Sequence, residues 1–181
     1  MKLKHSLIIS GLITALGVTS AIAGERETKS YGAKAPSATE VKTFLFPEAE
    51  CENVKYQCLA VRPSTERSIG MDVRFQTGSS ELTPAAKAQL QGLGEALASR
   101  NGKLKAGEIV IEGHADARGS AEINKRLSQE RAQAVVKHLV STHSVDGKVL
   151  KPVGVGKDRL KDAARPESEV NRRVELVRSA I

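Results

Sequence analysis

At 181 residues, the chain is long enough for one domain plus an extension, and for a real core without many covalent staples. Hydrophobic side chains make up 40%, but aromatics only 3% and tryptophan none, so the core must be Leu, Val, Ile and Ala. The formal charge is +7, mildly basic, which suits an anionic neighbour without choosing between polymer, lipid headgroup and nucleic acid.

The first residues narrow that choice. Lys2 and Lys4 precede an apolar run from Leu7 to Val18, and Ala21-Ile22-Ala23 offers a small-residue cleavage site. This layout predicts a secretory signal peptide over residues 1–23, cut before Gly24. The rival is a retained anchor, but a span needs roughly 20 apolar residues. This run is shorter and is broken by Ser10, Gly11, Thr14 and Gly17. No cysteine adjoins the cut, no later segment reads as a membrane span, and nothing resembles a series of barrel strands. Cleavage leaves 26 basic against 21 acidic side chains, a net of +5. Export argues against nucleic acid and favours anionic cell-wall polymer or lipid.

Residues 24–36 are polar, lack periodicity and read as a flexible leader. An N-terminal extension follows over residues 37–70. Ser37 and Glu40 have capping-box spacing, and Val41, Phe44 and Leu45 form one face of a short helix ending before Pro47. Cys51 and Cys58 are the only cysteines. In an oxidising compartment they are expected to form a disulfide closing a small loop, worth roughly 2–3 kcal/mol on the loop-entropy estimate. The spacing is not CxxC, and no histidine stands at ligand spacing, so redox and metal roles are disfavoured. A polar connector then reaches Ile69.

The domain itself is expected over residues 71–181. Met71, Val73 and Phe75 alternate with polar residues, a half-buried strand. Thr83-Pro84 starts a helix whose face is Leu82, Ala86, Leu90, Leu93 and Leu97, stopped by Asn101-Gly102. Ile109 and Ile111 mark a strand running into Gly113, Ser120 caps a helix to about Ser141, and strands follow at Val149–Val155 and around Val174 and Leu176. The order β-α-β-α-β-β predicts an α+β two-layer sandwich, a mixed four-stranded sheet with helices on one face.

On the second of those helices, Leu127, Arg131, Val135 and Leu139 follow one stripe, with Ala132 beside it. Arg131 interrupts an apolar face, and charged residues are rarely buried unpaired. Asn124 lies two turns earlier, and Asp116 leaves the preceding strand just ahead of the helix. Two readings stay open on these residues alone: a structural Asp116–Arg131 ion pair, or a site for a zwitterionic ligand. Arg118, Lys125 and Arg126 read as a solvated face. His114 and Asp116 are two metal-ligand types without a third, so no metal or other cofactor is expected.

Gly113-His114-Ala115-Asp116, then Asn124 to Ala132, then Asn171-Arg172-Arg173-Val174, resemble the signature stretches of the OmpA-like C-terminal domain. Val73-Arg74-Phe75 with Gly78 to Leu82 is similar to that family's opening segment, so the resemblance spans roughly Met71 to Arg178. It implies noncovalent binding of peptidoglycan through the diaminopimelate of its stem peptide, and no catalysis. By position, Asp116 would receive the ligand's ammonium and Arg131 its carboxylate, with Asn124 bonding the ligand or orienting the pair. Thr77 and Gly78 would border the pocket, and Arg172 or Arg173 would close its far side. Ala115 stands where the family often has Thr, and Gln76 where it often has Asp. The expected protein is periplasmic and wall-associated, peripheral to the outer membrane, with residues 37–70 as a candidate docking surface for another envelope protein. An inner-membrane-anchored wall binder with an uncleaved N-terminal segment and an envelope enzyme acting on wall peptide or glycan are the alternatives. For the latter, no nucleophile stands visibly beside a base, and Glu112 with Asp116 is a thin basis for a carboxylate pair.

Overall fold

The computed structural model describes residues 26–47, 66–73, 75 and 78–178. The expected signal peptide, the Cys51–Cys58 disulfide and Thr77 lie outside the described residues. Among those described, no helix is long and apolar enough to cross a membrane.

Among the described residues, five strands form one mixed sheet: β1 (Glu27–Gly32), β2 (Arg67–Met71), β3 (Ile109–His114), β4 (Leu150–Gly156) and β5 (Val174–Arg178), in the order β1-β2-β5-β3-β4. Strand β5 lies antiparallel to both β2 and β3, while the outer pairs β1–β2 and β3–β4 are parallel. Three helices, α1 (Ala38–Leu45), α2 (Pro84–Ala98) and α3 (Ala121–His143), complete the fold. From β2 to β5 the order is the expected β-α-β-α-β-β, and the α+β two-layer sandwich is as read from sequence. The extension adds a fifth strand and a helix.

Two boundaries differ from expectation. Residues 24–36 were expected as a flexible leader, yet they contain β1. Its sequence, ETKSYG, has no amphipathic pattern because an edge strand can be held largely by backbone bonds. Thr28 and Ser68 add a hydroxyl pair at 2.7 Å. The first domain strand, expected at Met71–Phe75, instead covers Arg67–Met71. Met71 and Val73 are buried as the alternation required, but ladder pairing with β5 stops at Met71. Beyond it, the Asp72 amide donates to Gly32 and Phe75 makes only an isolated bridge to Leu82.

The helices follow their caps. Ser37 and Glu40 make the reciprocal capping box, and Thr83 and Ser120 accept from the amides of Ala86 and Ile123. Helix α1 is bound tightly to the rest. Its last carbonyls, which no intrahelical amide can satisfy, accept from Arg67 (Phe44 O, 2.8 Å) and Arg178 (Leu45 O, 2.8 Å). Phe46 is fully buried, with the Arg100 and Arg178 guanidinium groups 5.4 and 4.8 Å from its ring centre. Val41, Leu45 and Phe46 join one core with Ile69, Leu90, Leu93, Ile111, Leu139 and Leu176.

Helix α3 buries Asn124, Ser128, Arg131, Ala132, Val135 and Leu139, so its buried arc runs through Ser128 where the stripe read from sequence has Leu127. The reason is close approach. A Cβ on Gly113 would meet the Ser128 carbonyl at 2.2 Å, and one on Gly154 would meet the Gln129 amide at 2.6 Å. Only small groups fit at that crossing, and the Ser128 hydroxyl accepts from the Gly156 amide at 2.9 Å.

Candidate functional site

The loop after β3 is fixed by its backbone before any side chain acts. His114, Ala115 and Ala117 donate to the carbonyls of Arg173, Gly156 and Pro166 at 2.8–2.9 Å. Asn124, buried on the first turn of α3, donates its side-chain amide to the Arg118 carbonyl (2.6 Å) and the Asp116 carbonyl (3.3 Å). Asn124 thus orients the loop that carries Asp116. Asn171 does the same for the loop before β5, donating to the carbonyls of Asp162, Arg165 and Pro166 and accepting from the Asp162 amide.

Asp116 and Arg131 do not pair. One Asp116 oxygen accepts from the Arg118 amide (3.1 Å) and the other from Arg172 (2.8 Å). The ion pair considered for Arg131 is therefore made by Arg172, which also bonds Glu169 at 2.6 Å. Arg131 is 8% exposed and donates its Nε to the Ser79 carbonyl at 3.1 Å, with its guanidinium carbon 4.9 Å from the Phe75 ring centre. Its two terminal nitrogens have no partner among the described residues.

The electrostatics follow from this arrangement. Burial pushes the Arg131 guanidinium below its ordinary pKa, the Arg172 charge adds to that, and Asp116 offsets only part. Arg172 is shifted the other way, chiefly by its hydrogen bond to Asp116. A buried cation with no carboxylate of its own is stabilised by an anion supplied from outside.

A cavity of about 390 Å³ opens there, lined by Asp72, Val73, Phe75, His114, Arg131, Glu169, Val170, Arg172 and Arg173. Sequence reasoning named Arg131, Arg172 and Arg173 of this set, and Asp116 borders it through Arg172. Gly78 is exposed, in the left-handed turn beside the Ser79 carbonyl that holds Arg131. Arg173 points at Glu175 (2.6 Å) and is largely buried, so Arg172 is the one that faces Asp116. Asp72, Phe75, Glu169 and Val170 went unnamed. Phe75 alone had a signal, as the last apolar residue of an alternating run that outlasts its strand.

Behind this cavity, Glu112 and Glu175 face each other across β3 and β5. They are the carboxylates within 4.0 Å of His114 Nε2. Among the described residues these three form the group whose donor atoms lie close enough together to hold a metal, within 4.8 Å of one another. The sequence pairing of His114 with Asp116 had missed it. Burial alone would raise the Glu112 carboxyl. Contact with His114, at 3.7 Å longer than an ordinary hydrogen bond, and the charges of Arg159 and Arg26 hold it at about 2 instead.

The family pattern described as the OmpA family matches residues 74–173, more than half of the chain. Among proteins of known identity, the chain is 36% identical over 104 residues to a peptidoglycan-associated lipoprotein of Pseudomonas aeruginosa, covering 56% of this chain and 58% of that one. It is 31% identical over 109 residues to outer membrane porin F of the same species, covering 59% and 30% respectively. The chain therefore spans less than two thirds of the length of these relatives. Among solved structures, the peptidoglycan-associated lipoprotein of Burkholderia pseudomallei superimposes with a TM-score of 0.50 at 31% identity, covering 65% of this chain and 96% of that one.

Proposed function

The chain belongs to the OmpA family, and on that premise we propose that it binds peptidoglycan noncovalently, gripping the diaminopimelate of the stem peptide in the cavity between Arg131 and Arg172. The observation that carries this reading is Arg131. Its Nε and its flat face are engaged, its terminal fork is free among the described residues, and it opens on a cavity. A planar fork matches a carboxylate through two parallel bonds, which a lysine ammonium does not provide. Asp116 supplies the opposite charge. A carboxylate offers about four lone-pair positions, so Asp116 has room to accept a ligand ammonium while Arg118 and Arg172 keep it oriented. Asn124 fixes the loop, Gly78 precedes the Ser79 carbonyl that holds Arg131, and Arg173 stands at the far wall. The names of the relatives support the same direction, since two of them are described as peptidoglycan-associated.

The affinity expected for such a site is modest. Hydrogen bonds to charged groups contribute roughly 1.5–3 kcal/mol each before association entropy is subtracted, which puts a free stem peptide in the micromolar to millimolar range. On a sacculus, rebinding to repeated sites raises retention. This suits an exported protein resting on the wall in the periplasm.

Cosedimentation with purified sacculi tests the assignment. Arg131→Ala and Asp116→Ala are each expected to lose most of the wall-bound fraction, with circular dichroism and melting behaviour close to wild type. If both variants sediment as wild type does, the cavity is not the binding site.

A further inference from the structure

Glu112 and His114 project from the same side of β3, two residues apart, and Glu175 lies opposite Glu112 in register on β5. His114 is 2% exposed, and neither ring nitrogen has a hydrogen-bond partner. A buried imidazole left bare is unusual, because buried polar side chains are nearly always satisfied. Its surroundings are arranged around it. Glu112 gives one oxygen to Arg159 (2.9 Å) and Glu175 gives one to Arg173 (2.6 Å). Each carboxylate thereby has its orientation fixed and its other oxygen turned to His114 Nε2, at 3.7 and 4.0 Å. Arg26 Nη1 sits against those same two oxygens, 3.0 Å from Glu112 and 3.8 Å from Glu175.

We propose that Glu112, His114 and Glu175 form a binding site for a divalent transition-metal cation of the zinc class, and that Arg26 is the chain's own cation competing for the two carboxylates. The donor separations fit. Tetrahedral zinc with bonds of about 2.0–2.2 Å places its donors roughly 3.3–3.5 Å apart. The two carboxylate oxygens, 3.7 and 4.0 Å from His114 Nε2, therefore need to close on it by less than about 1 Å, and on each other from within 4.8 Å by at most about 1.5 Å, a movement of side-chain tips. One imidazole nitrogen with two carboxylate oxygens selects zinc-like ions over magnesium or calcium, which take oxygen ligands. Arg159 and Arg173 act as the outer partners that hold ligating carboxylates in place. His114 and Arg173 line the cavity, which gives an ion a route in. Arg26 can leave without losing every partner, since it also bonds Glu66 at 3.2 Å. The site uses neither Arg131 nor Asp116 and stands whether or not the cavity takes peptidoglycan.

Calorimetric titration of the untagged, purified chain with Zn²⁺ and with Mg²⁺ tests the proposal. One Zn²⁺ per chain is expected, without a matching Mg²⁺ isotherm. Arg26→Ala is expected to tighten Zn²⁺ binding by about tenfold, and His114→Ala and Glu175→Gln to weaken it by at least about tenfold. Circular dichroism establishes that each variant is folded, and Glu175→Gln carries the test if His114→Ala is not. Visible absorption of the Co²⁺ form should show nitrogen and oxygen ligation that Glu175→Gln alters. Absence of saturable Zn²⁺ binding in both wild type and Arg26→Ala overturns the proposal. So does Zn²⁺ binding that Glu175→Gln leaves unchanged.

Discussion

Arg131 and Glu112 show how differently two buried charges can be treated within one small domain. Arg131 is given a carbonyl and an aromatic face, and among the described residues no carboxylate bonds it. Glu112 is given His114, Arg159 and Arg26, and against the effect of burial its carboxyl falls to about 2 from an ordinary value of 4.5. That second shift has a sign that can be followed with pH. A depressed carboxylate stabilises the fold fully above its unfolded pKa and loses that contribution as pH falls through its folded value. For Glu112 the window runs from about 4.5 down to about 2, and the contribution is of order 3 kcal/mol. Glu112→Gln should therefore lower stability at neutral pH and flatten its decline across that window, read by denaturant unfolding at a series of pH values. A variant whose stability falls as steeply as wild type would show that another group sets the acid response. Arg131 was legible in sequence because a charge on an apolar helical stripe is conspicuous. Asp116–Arg172 and Glu112–Glu175 were not, because each pair joins residues some sixty positions apart whose meeting depends on sheet register.

At the level of elements, the site depends on how closely α3 lies on β3 and β4. Gly113 and Gly154 allow that approach, and Ser128 locks it through the Gly156 amide. Gly113→Ala places a methyl carbon 2.2 Å from the Ser128 backbone carbonyl, which cannot yield as a flexible side-chain tip would. The expected cost is about 1–3 kcal/mol, the usual range for overpacking. Because α3 carries both Asn124 and Arg131, wall binding should fall along with the melting temperature. Unchanged stability and binding would mean the helix is free to lift from the sheet. The caps at Ser37, Thr83 and Ser120 and the leucine face of α2 were all readable from spacing. The start of the sheet was not. Alternation at Met71, Val73 and Phe75 reports burial, whereas ladder pairing stops at Met71 because the antiparallel partner β5 begins opposite it at Val174. Strand β1 carried no pattern at all, since its place is set by what β2 offers along its edge.

Taken whole, the molecule sets its described N-terminal unit beside the cavity without lining it. Strand β1 covers the edge of β2, α1 packs on α2, and Gln89 ties the turn after β1 by donating to the Gly32 and Lys34 carbonyls. The cavity lies among the β2 exit, α3 and the loop before β5, and its lining residues other than Asp72 and Val73 fall inside the stretch that matches the family. The proposed binding mode holds Arg131 ready for a ligand carboxylate. Diaminopimelate carries a side-chain carboxylate that lysine lacks at the same position of the stem peptide, so the two wall types isolate that contact. Wild-type protein should sediment with diaminopimelate-type sacculi at least about tenfold more tightly than with lysine-type sacculi, the loss expected for one charged, two-pronged contact. Arg131→Ala should bind both weakly and without preference. Equal retention of the wild-type protein on the two walls would contradict the account.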